Sequence, residues 1–488
     1  MALLKRVPWE LTLPSKHKIM NKAYYCHNFY LRIRNAFLIL LILQSCTDQW
    51  YDIKSDKSIT VPSTVKDFEL LLDDYRSIST NTPGLGEIGC DDHDCPDVSW
   101  PKMQNNQPTF NAQRNAYLWN NKMLYQEVND WNAAYKRIFI CNLVLDGLNK
   151  ITSDNSTKFN QVKGNALFHR AKAYFDLSQV FIPPYDKNGD SPYGLPFPNS
   201  SDITQKLTRS SVHKTYASII SDLETAITLL PSKAAVNTRG SKHSCFALLS
   251  RIYLIQTNYP KALEFANKTI AISDSLIIFS DIPPSNRNLG MVNPETIFHS
   301  TMTNYHLTYF QNFYSIVPEL YSQYEDNDLR KQIYFRIANS IISFKGMYNN
   351  STTQFSGLAT DEMYLIRSEC NARLNNIELA MKDLNKLLRS RWARSLEGNT
   401  LYSDQNASSS DDAIRIILKE RRKSLLMRGL RWSDLRRLNL EGIYQTTISR
   451  TVDNETFTLE PNSYRYTVPL PDDEITISNL PQNQGWKR

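Results

Sequence analysis

Two apolar helical patterns joined by a three-residue turn leave this chain few ways to fold. KHSCFALLSRIYLIQ (Lys242–Gln256) is followed by Thr257-Asn258-Tyr259 and then by PKALEFANKTIAI (Pro260–Ile272). Apolar side chains recur at three- and four-residue steps in both arms, the spacing of one helix face. Pro260 falls in the first turn of the second arm, where a missing N–H leaves no helical hydrogen bond unmade. The unit is a helical hairpin, and the plan returns downstream: DEMYLIRSECNARL (Asp361–Leu374), a turn at Asn375-Asn376, then IELAMKDLNKLLRSRW (Ile377–Trp392). A hairpin of this size buries one face only, so it must stack on neighbours.

Helical spacing also runs through QVKGNALFHRAKAYFDLSQVF (Gln161–Phe181) and SVHKTYASIISDLETAITLL (Ser211–Leu230), the latter with Ser210 or Ser211 as N-cap and Pro231 as a stop. Hairpins of roughly 34 residues with alanines at the helix contacts resemble tetratricopeptide repeats. The expected fold is therefore all-α, a degenerate set of tetratricopeptide-like hairpins interrupted by long loops. The insertions are Ile182–Asp202, the segment around Ile278–Thr308, and Ser395–Asp412. Loops this long in a compact protein are usually functional or mobile. We divide the chain into 1–45, 46–285 and 286–488, the last packed on the second.

The first of these divisions rests on a leader. Lys18, Lys22, Arg32 and Arg34 precede the run AFLILLIL (Ala36–Leu43), and Gln44-Ser45 closes it with small or polar groups. That is the build of a secretory signal peptide. Its apolar run is far short of the about 20 residues a spanning helix needs. Leu43-Gln44-Ser45-Cys46 is similar to the bacterial lipobox, which implies a lipid on Cys46, and Met20 begins a more ordinary signal peptide than Met1 does. The leader also explains the charge. Residues 1–45 carry seven of the basic side chains and one acid, Glu10, so removing them brings the formal +7 of the whole chain to about +1. The basic balance belongs to the leader and gives no support to a nucleic-acid partner.

Seven cysteines in 488 residues make no disulfide framework. Cys141, Cys245 and Cys370 lie in helical patterns and read as core. In CDDHDC (Cys90–Cys95) two thiols, three carboxylates and His93 crowd together, with a spacing that fits no standard zinc finger. A local disulfide or a solvated polar turn accounts for it better than a metal, and neither a metal nor a cofactor is assigned to the chain. Arg170, Arg251, Arg367 and Arg421 sit on amphipathic helices and call for carboxylate partners, with Asp222, Glu369, Glu420 and Asp434 as the candidates. There is no G-x-S-x-G, H-E-x-x-H, P-loop or dinucleotide fingerprint.

Several stretches taken together resemble the SusD/RagB family of surface lipoproteins of Bacteroidota. They are GNALFHRAKAYFDL, TRSSVHKTYASIISDLETAITLLP, DEMYLIRSECNARL with AMKDLNKLLRSRW, ERRKSLLMRGLRWSDLRRL and the tail VPLPDDEITISNLPQNQGW. Departures from the family pattern fall at Ser424 and Arg428, where Glu is usual, and at Ser368, where Ala is usual. The resemblance implies a non-enzymatic protein held at the outer-membrane surface by its lipid alone, which passes an extracellular nutrient to a SusC-like TonB-dependent transporter. The ligand so implied is an oligosaccharide, alternatively a peptide. A lipid-anchored helical glycan-degrading enzyme and a repeat scaffold without small ligand are the rival readings. Sugars present CH faces and hydroxyls, so rings outside the helical stripes are the candidate contacts: Trp100, Tyr305, Tyr309, Phe310 and Tyr314. Asp92, His93, Asn105 and Asn304 are the candidate hydrogen-bonding groups.

Overall fold

Several of the expected helices begin where a side chain satisfies a first free N–H group. The structure, a computed structural model, describes residues 61–486 apart from 105–107, 121–128, 152–155, 284–288, 290–292, 346–347 and 350–352; the leader and Cys46 lie outside the described residues. The first half runs through α1 (Val65–Asp73), α2 (Leu85–Gly89), α3 (Trp100–Met103), α4 (Pro108–Tyr117), α5 (Asp130–Asn149), α6 (Thr157–Phe181), α7 (Val212–Leu229), α8 (Lys242–Ile255) and α9 (Tyr259–Ile272). After a short helix α10 (His306–Tyr309) come α11 (Thr360–Arg373), α12 (Ile377–Arg389), α13 (Ser410–Ser424) and α14 (Arg431–Leu438). Thr64 and Ser241 form capping boxes on α1 and α8, and Ser211 caps α7 through the Lys214 N–H.

The two hairpins share their joints. The Ser250 hydroxyl donates to the Ala262 carbonyl at 3.0 Å across α8 and α9, and the Ser368 hydroxyl donates to the Ala380 carbonyl at 2.7 Å across α11 and α12. The turn residues Thr257 and Asn375, each seven positions after its serine, both take left-handed φ values of 56° and 62°. Ala262, Ala266, Ala372 and Ala380 are completely buried, because only small side chains let the helices approach this closely. Ser368, which departs from the family's usual Ala, therefore supplies an inter-helix hydrogen bond rather than a defect.

Strands were not anticipated by the helical reading, and those present are short two-stranded pieces. β1 (His93–Asp94) pairs with β3 (Ser315–Ile316), β2 (Thr296–Phe298) with β6 (Leu358–Ala359), β4 (Phe335–Ala338) with β5 (Ile341–Phe344), and β7 (Ile448–Val452) with β8 (Glu455–Leu459). Ser63–Arg488 form one compact unit. Its main core takes Leu167 and Leu248 from the first half of the chain and Leu365 and Leu470 from the second.

Buried and half-buried ion pairs tie the helices together. Arg170 grips Asp222 with two 2.8 Å bonds, Arg421 meets Asp434 at 2.8 Å, and Arg437 holds both oxygens of Glu369 at 2.6 and 2.8 Å. Arg251 and Arg367 choose partners other than those anticipated, Glu362 and Asp383. At the family departures, Ser424 accepts from Arg330, which also holds Asp328 and Glu420, and Arg428 reaches Asp361 at 2.7 Å.

Candidate functional site

The segment from Thr303 to Phe313 is fastened from beneath and presents rings outward. Asp130, the first residue of α5, is fully buried and accepts the Gly84 and Leu85 N–H groups at 2.8 and 2.9 Å. Its other oxygen accepts the Tyr305 hydroxyl at 2.8 Å and the Thr303 hydroxyl at 3.0 Å. Burial pushes this carboxyl up to about 6, against the pull of those four donors. From α4, the Gln113 side chain accepts the Leu307 N–H at 3.3 Å, and Gln354 donates to the Thr308 carbonyl. The backbone of α10 is thus fixed at both ends.

On that base lie five rings. The Phe110 ring of α4 is 4.6 Å from His306 and 6.3 Å from Phe313; His306 is 4.9 Å from Phe310, and Phe310 is 4.7 Å from Tyr309. Phe310 is 41% exposed, and the other four are half-buried. Asn304 and Asn312 are exposed at the margin, and Lys102 approaches the Phe313 face at 6.0 Å. Burial lowers the His306 imidazole below its ordinary value. The surface offers apolar ring faces with amides beside them and no cluster of charge.

Four anticipated contacts are placed elsewhere. Tyr314 is fully buried, with its hydroxyl on the Phe344 carbonyl at 3.2 Å. Asp92 is buried against Arg422 at 2.7 Å, and His93 is buried with Nε2 3.1 Å from the Glu87 carbonyl. Trp100 is 5% exposed, packed 5.7 Å from Tyr117, with its indole N–H donating to Asp453 at 3.1 Å. Asp92 and His93 serve the interior because β1 pairs with β3 and turns these two side chains inward, while Asp94 stays exposed. Asn105 lies outside the described residues. Tyr309 and Phe310 do come together, with Asn304 exposed nearby, and Phe110, His306 and Phe313 join them, whereas Tyr305 anchors the segment from beneath through Asp130. His306 and Phe313 stand in the same YHLTYFQNFY run; Phe110 carried no signal, since it is brought in from 196 positions earlier by α4.

The thiols Cys90 and Cys95 are free and buried, so the anticipated disulfide is absent, and of the three carboxylates in the turn Asp94 is exposed, Asp91 half-buried and Asp92 buried. No helix among the described residues is long and apolar enough to cross a membrane. A second concavity of about 430 Å³, lined by Pro183, Asn462, Tyr464, Tyr466 and Asn483 among others, exposes one ring, Tyr464.

Comparison with known proteins gives a consistent picture. Residues 49–254 match a SusD-like family model described as starch-binding associating with outer membrane, and residues 293–486 match the model of the SusD family. A SusD-like protein, P2, of Formosa agariphila is 23% identical over 427 residues, covering 73% of this chain and 80% of that one. Among solved structures, a putative sugar binding protein of Bacteroides vulgatus superposes with TM-score 0.69 at 20% identity, over 88% of this chain and 100% of its own. A SusD superfamily protein of Bacteroides thetaiotaomicron gives 0.68 at 21% identity, over 86% and 99%. A SusD-like carbohydrate binding protein of B. vulgatus gives 0.63 at 20% identity, over 86% and 97%.

Proposed function

The chain belongs to the SusD/RagB family, and on that premise we propose that it is a cell-surface lipoprotein that captures an extracellular glycan and delivers it to a SusC-like TonB-dependent transporter. The observation that carries the glycan reading is the rigid patch of Phe110, His306, Tyr309, Phe310 and Phe313 with Asn304 and Asn312 at its edge. Ring faces suit the CH faces of pyranoses, and the amides suit their hydroxyls. The patch is held by Asp130, Gln113 and Gln354 before ligand arrives, so little ordering entropy opposes binding. Selection comes from the spacing of the rings, and capture needs no chemistry on the sugar. The relatives whose names state a ligand name sugar or carbohydrate, which supports the same class.

Delivery follows from tethering. A lipid on Cys46 keeps the binding protein beside its transporter, so that handover occurs at a high effective concentration. The Cys46→Ala variant tests the anchor: it leaves the membrane fraction with its fold unchanged, whereas retention there would mean another attachment. Affinity purification from native membranes tests the partner, and recovery of a TonB-dependent transporter is the expected result. Product release from a glycan panel by the purified protein would instead favour the enzyme reading.

A further inference from the structure

The turn between α2 and β1 brings three different metal-binding side chains to one buried point. Glu87 lies in α2, Cys90 follows it and His93 opens β1; they are 2%, 0% and 0% exposed. One carboxylate oxygen, the thiol sulfur and one imidazole nitrogen all lie within 4.8 Å of one another. The Cys90 Sγ is 3.1 Å from the Glu87 main-chain oxygen and 3.9 Å from its Oε1, and His93 Nε2 is 3.1 Å from the same main-chain oxygen. Ligands on a tetrahedral zinc, with bonds of about 2.3 Å to sulfur and about 2.0–2.1 Å to nitrogen or oxygen, stand roughly 3.3–3.6 Å apart. The trio with the Glu87 carbonyl is thus close to that size without rearrangement of the backbone.

Among the described residues one carboxyl at this point, that of Glu87, has no cationic partner. The neighbouring acids are Glu87, Asp91, Asp92 and Asp94, and the neighbouring bases are Arg422, Arg431 and Arg450. Arg422 bonds Asp92 at 2.7 Å, Arg431 bonds Asp91 at 2.7 and 2.8 Å, and Arg450 stands 3.8 Å from Asp94. Glu87 is left with the Gly429 N–H at 2.8 Å and the weak Cys90 contact, and no cation pairs with it. Burial, and then repulsion from Asp92, pushes its carboxyl up to about 8. Two further buried atoms here, His93 Nδ1 and Asp92 Oδ2, have no hydrogen-bond partner. The backbone is locked: the Gly89 carbonyl accepts the Trp119 indole at 3.0 Å, and the Cys90 carbonyl accepts Arg450.

We propose that Glu87, Cys90 and His93, with the main-chain carbonyl of Glu87, form a structural site for one divalent cation of the zinc class. Thiolate and imidazole together select zinc-like ions over calcium or magnesium. Binding exchanges protons for metal in balance: the Glu87 carboxyl and the Cys90 thiol each release one proton, and the imidazole proton moves from Nε2 to Nδ1. The two negative charges so formed match the two positive charges of the ion. The site joins α2 to Gly429, two residues before α14, uses none of the side chains of the ring patch, and stands independently of the glycan reading.

The test replaces the native metal with cobalt(II) in the intact protein after chelation. Wild type takes up one equivalent and shows intense tetrahedral d–d bands with a thiolate-to-cobalt charge-transfer band, and zinc restores the thermal transition lost on chelation. Cys90→Ser abolishes the charge-transfer band and weakens cobalt binding at least tenfold, while Cys245→Ser, whose thiol is buried in α8 without carboxylate neighbours, leaves both unchanged. Wild-type protein that binds no stoichiometric cobalt, or binds it without a thiolate band, overturns the proposal however the Cys90 variant folds. A band that survives in Cys90→Ser overturns it as well.

Discussion

Glu369 sits fully buried on α11 between Arg437 and Arg373. Burial alone would raise its carboxyl, but the two guanidinium groups reverse this and hold it at about 2, below the ordinary 4.5. A group with a depressed folded value contributes its full stability above the unfolded value and loses it as pH falls through the folded one. Wild-type stability therefore declines from about pH 4.5 toward pH 2, and Glu369→Gln lacks that part of the decline. Because the variant leaves Arg437 buried with one carboxylate fewer, it costs about 3–5 kcal/mol at neutral pH by denaturant titration. The need for carboxylate partners was legible at Arg170 and Arg421, whose partners Asp222 and Asp434 were anticipated, and Glu369 and Glu420 are paired as well. Glu362 and Asp383 were not, since a charge on an apolar helix announces that it needs a partner without saying which one lies opposite.

Thr257 and Asn375 occupy the same place in two hairpins, but one is β-branched and the other is an asparagine. Left-handed backbone is costly for a branched side chain and tolerated by asparagine. Thr257→Asn is expected to stabilise the protein by up to about 1 kcal/mol, read as a rise in the thermal midpoint; a fall would mean that the Thr257 side chain makes a contact worth more than its strain. In contrast Ala266→Leu, which forces a larger group into the closed contact of α8 and α9, is expected to destabilise by about 1–3 kcal/mol. The hairpins were legible in sequence because spacing and turn residues agreed from Lys242 to Ile272 and from Thr360 to Arg389. The short strands were not, because two- to five-residue pieces such as His93–Asp94 and Ser315–Ile316 carry no period and exist only through pairing with distant chain.

Across the whole molecule, contacts between the halves decide both stability and site. Arg251 of α8 reaches Glu362 of α11, and Glu295 reaches Arg391 at 2.6 Å, so truncation near residue 355 strips buried Arg251 and Glu295 of their partners. A fragment ending there is expected to be insoluble or to lack a sharp thermal transition; a soluble fragment with one would make the halves independent. The site, too, is assembled from both halves: α4 supplies Phe110 and the later loop supplies His306, Tyr309, Phe310 and Phe313. Sequence singled out Tyr309 and Phe310, which the structure sets side by side, but could not tell that Tyr309 falls in the short helix α10 or that Tyr314, one position past the cluster, turns inward. With residues 1–45 removed, as proposed, the net charge of about +1 leaves little field to steer a polyanion, so glycan affinity should vary little with salt. The central claim is that this ring patch binds a glycan, and calorimetric titration of wild type, Phe310→Ala and Tyr464→Ala against a glycan panel tests it most directly. The account predicts a loss of about 1–3 kcal/mol, roughly tenfold to a hundredfold in affinity, for Phe310→Ala and no change for Tyr464→Ala in the separate 430 Å³ concavity; unchanged affinity in Phe310→Ala with loss in Tyr464→Ala would contradict it.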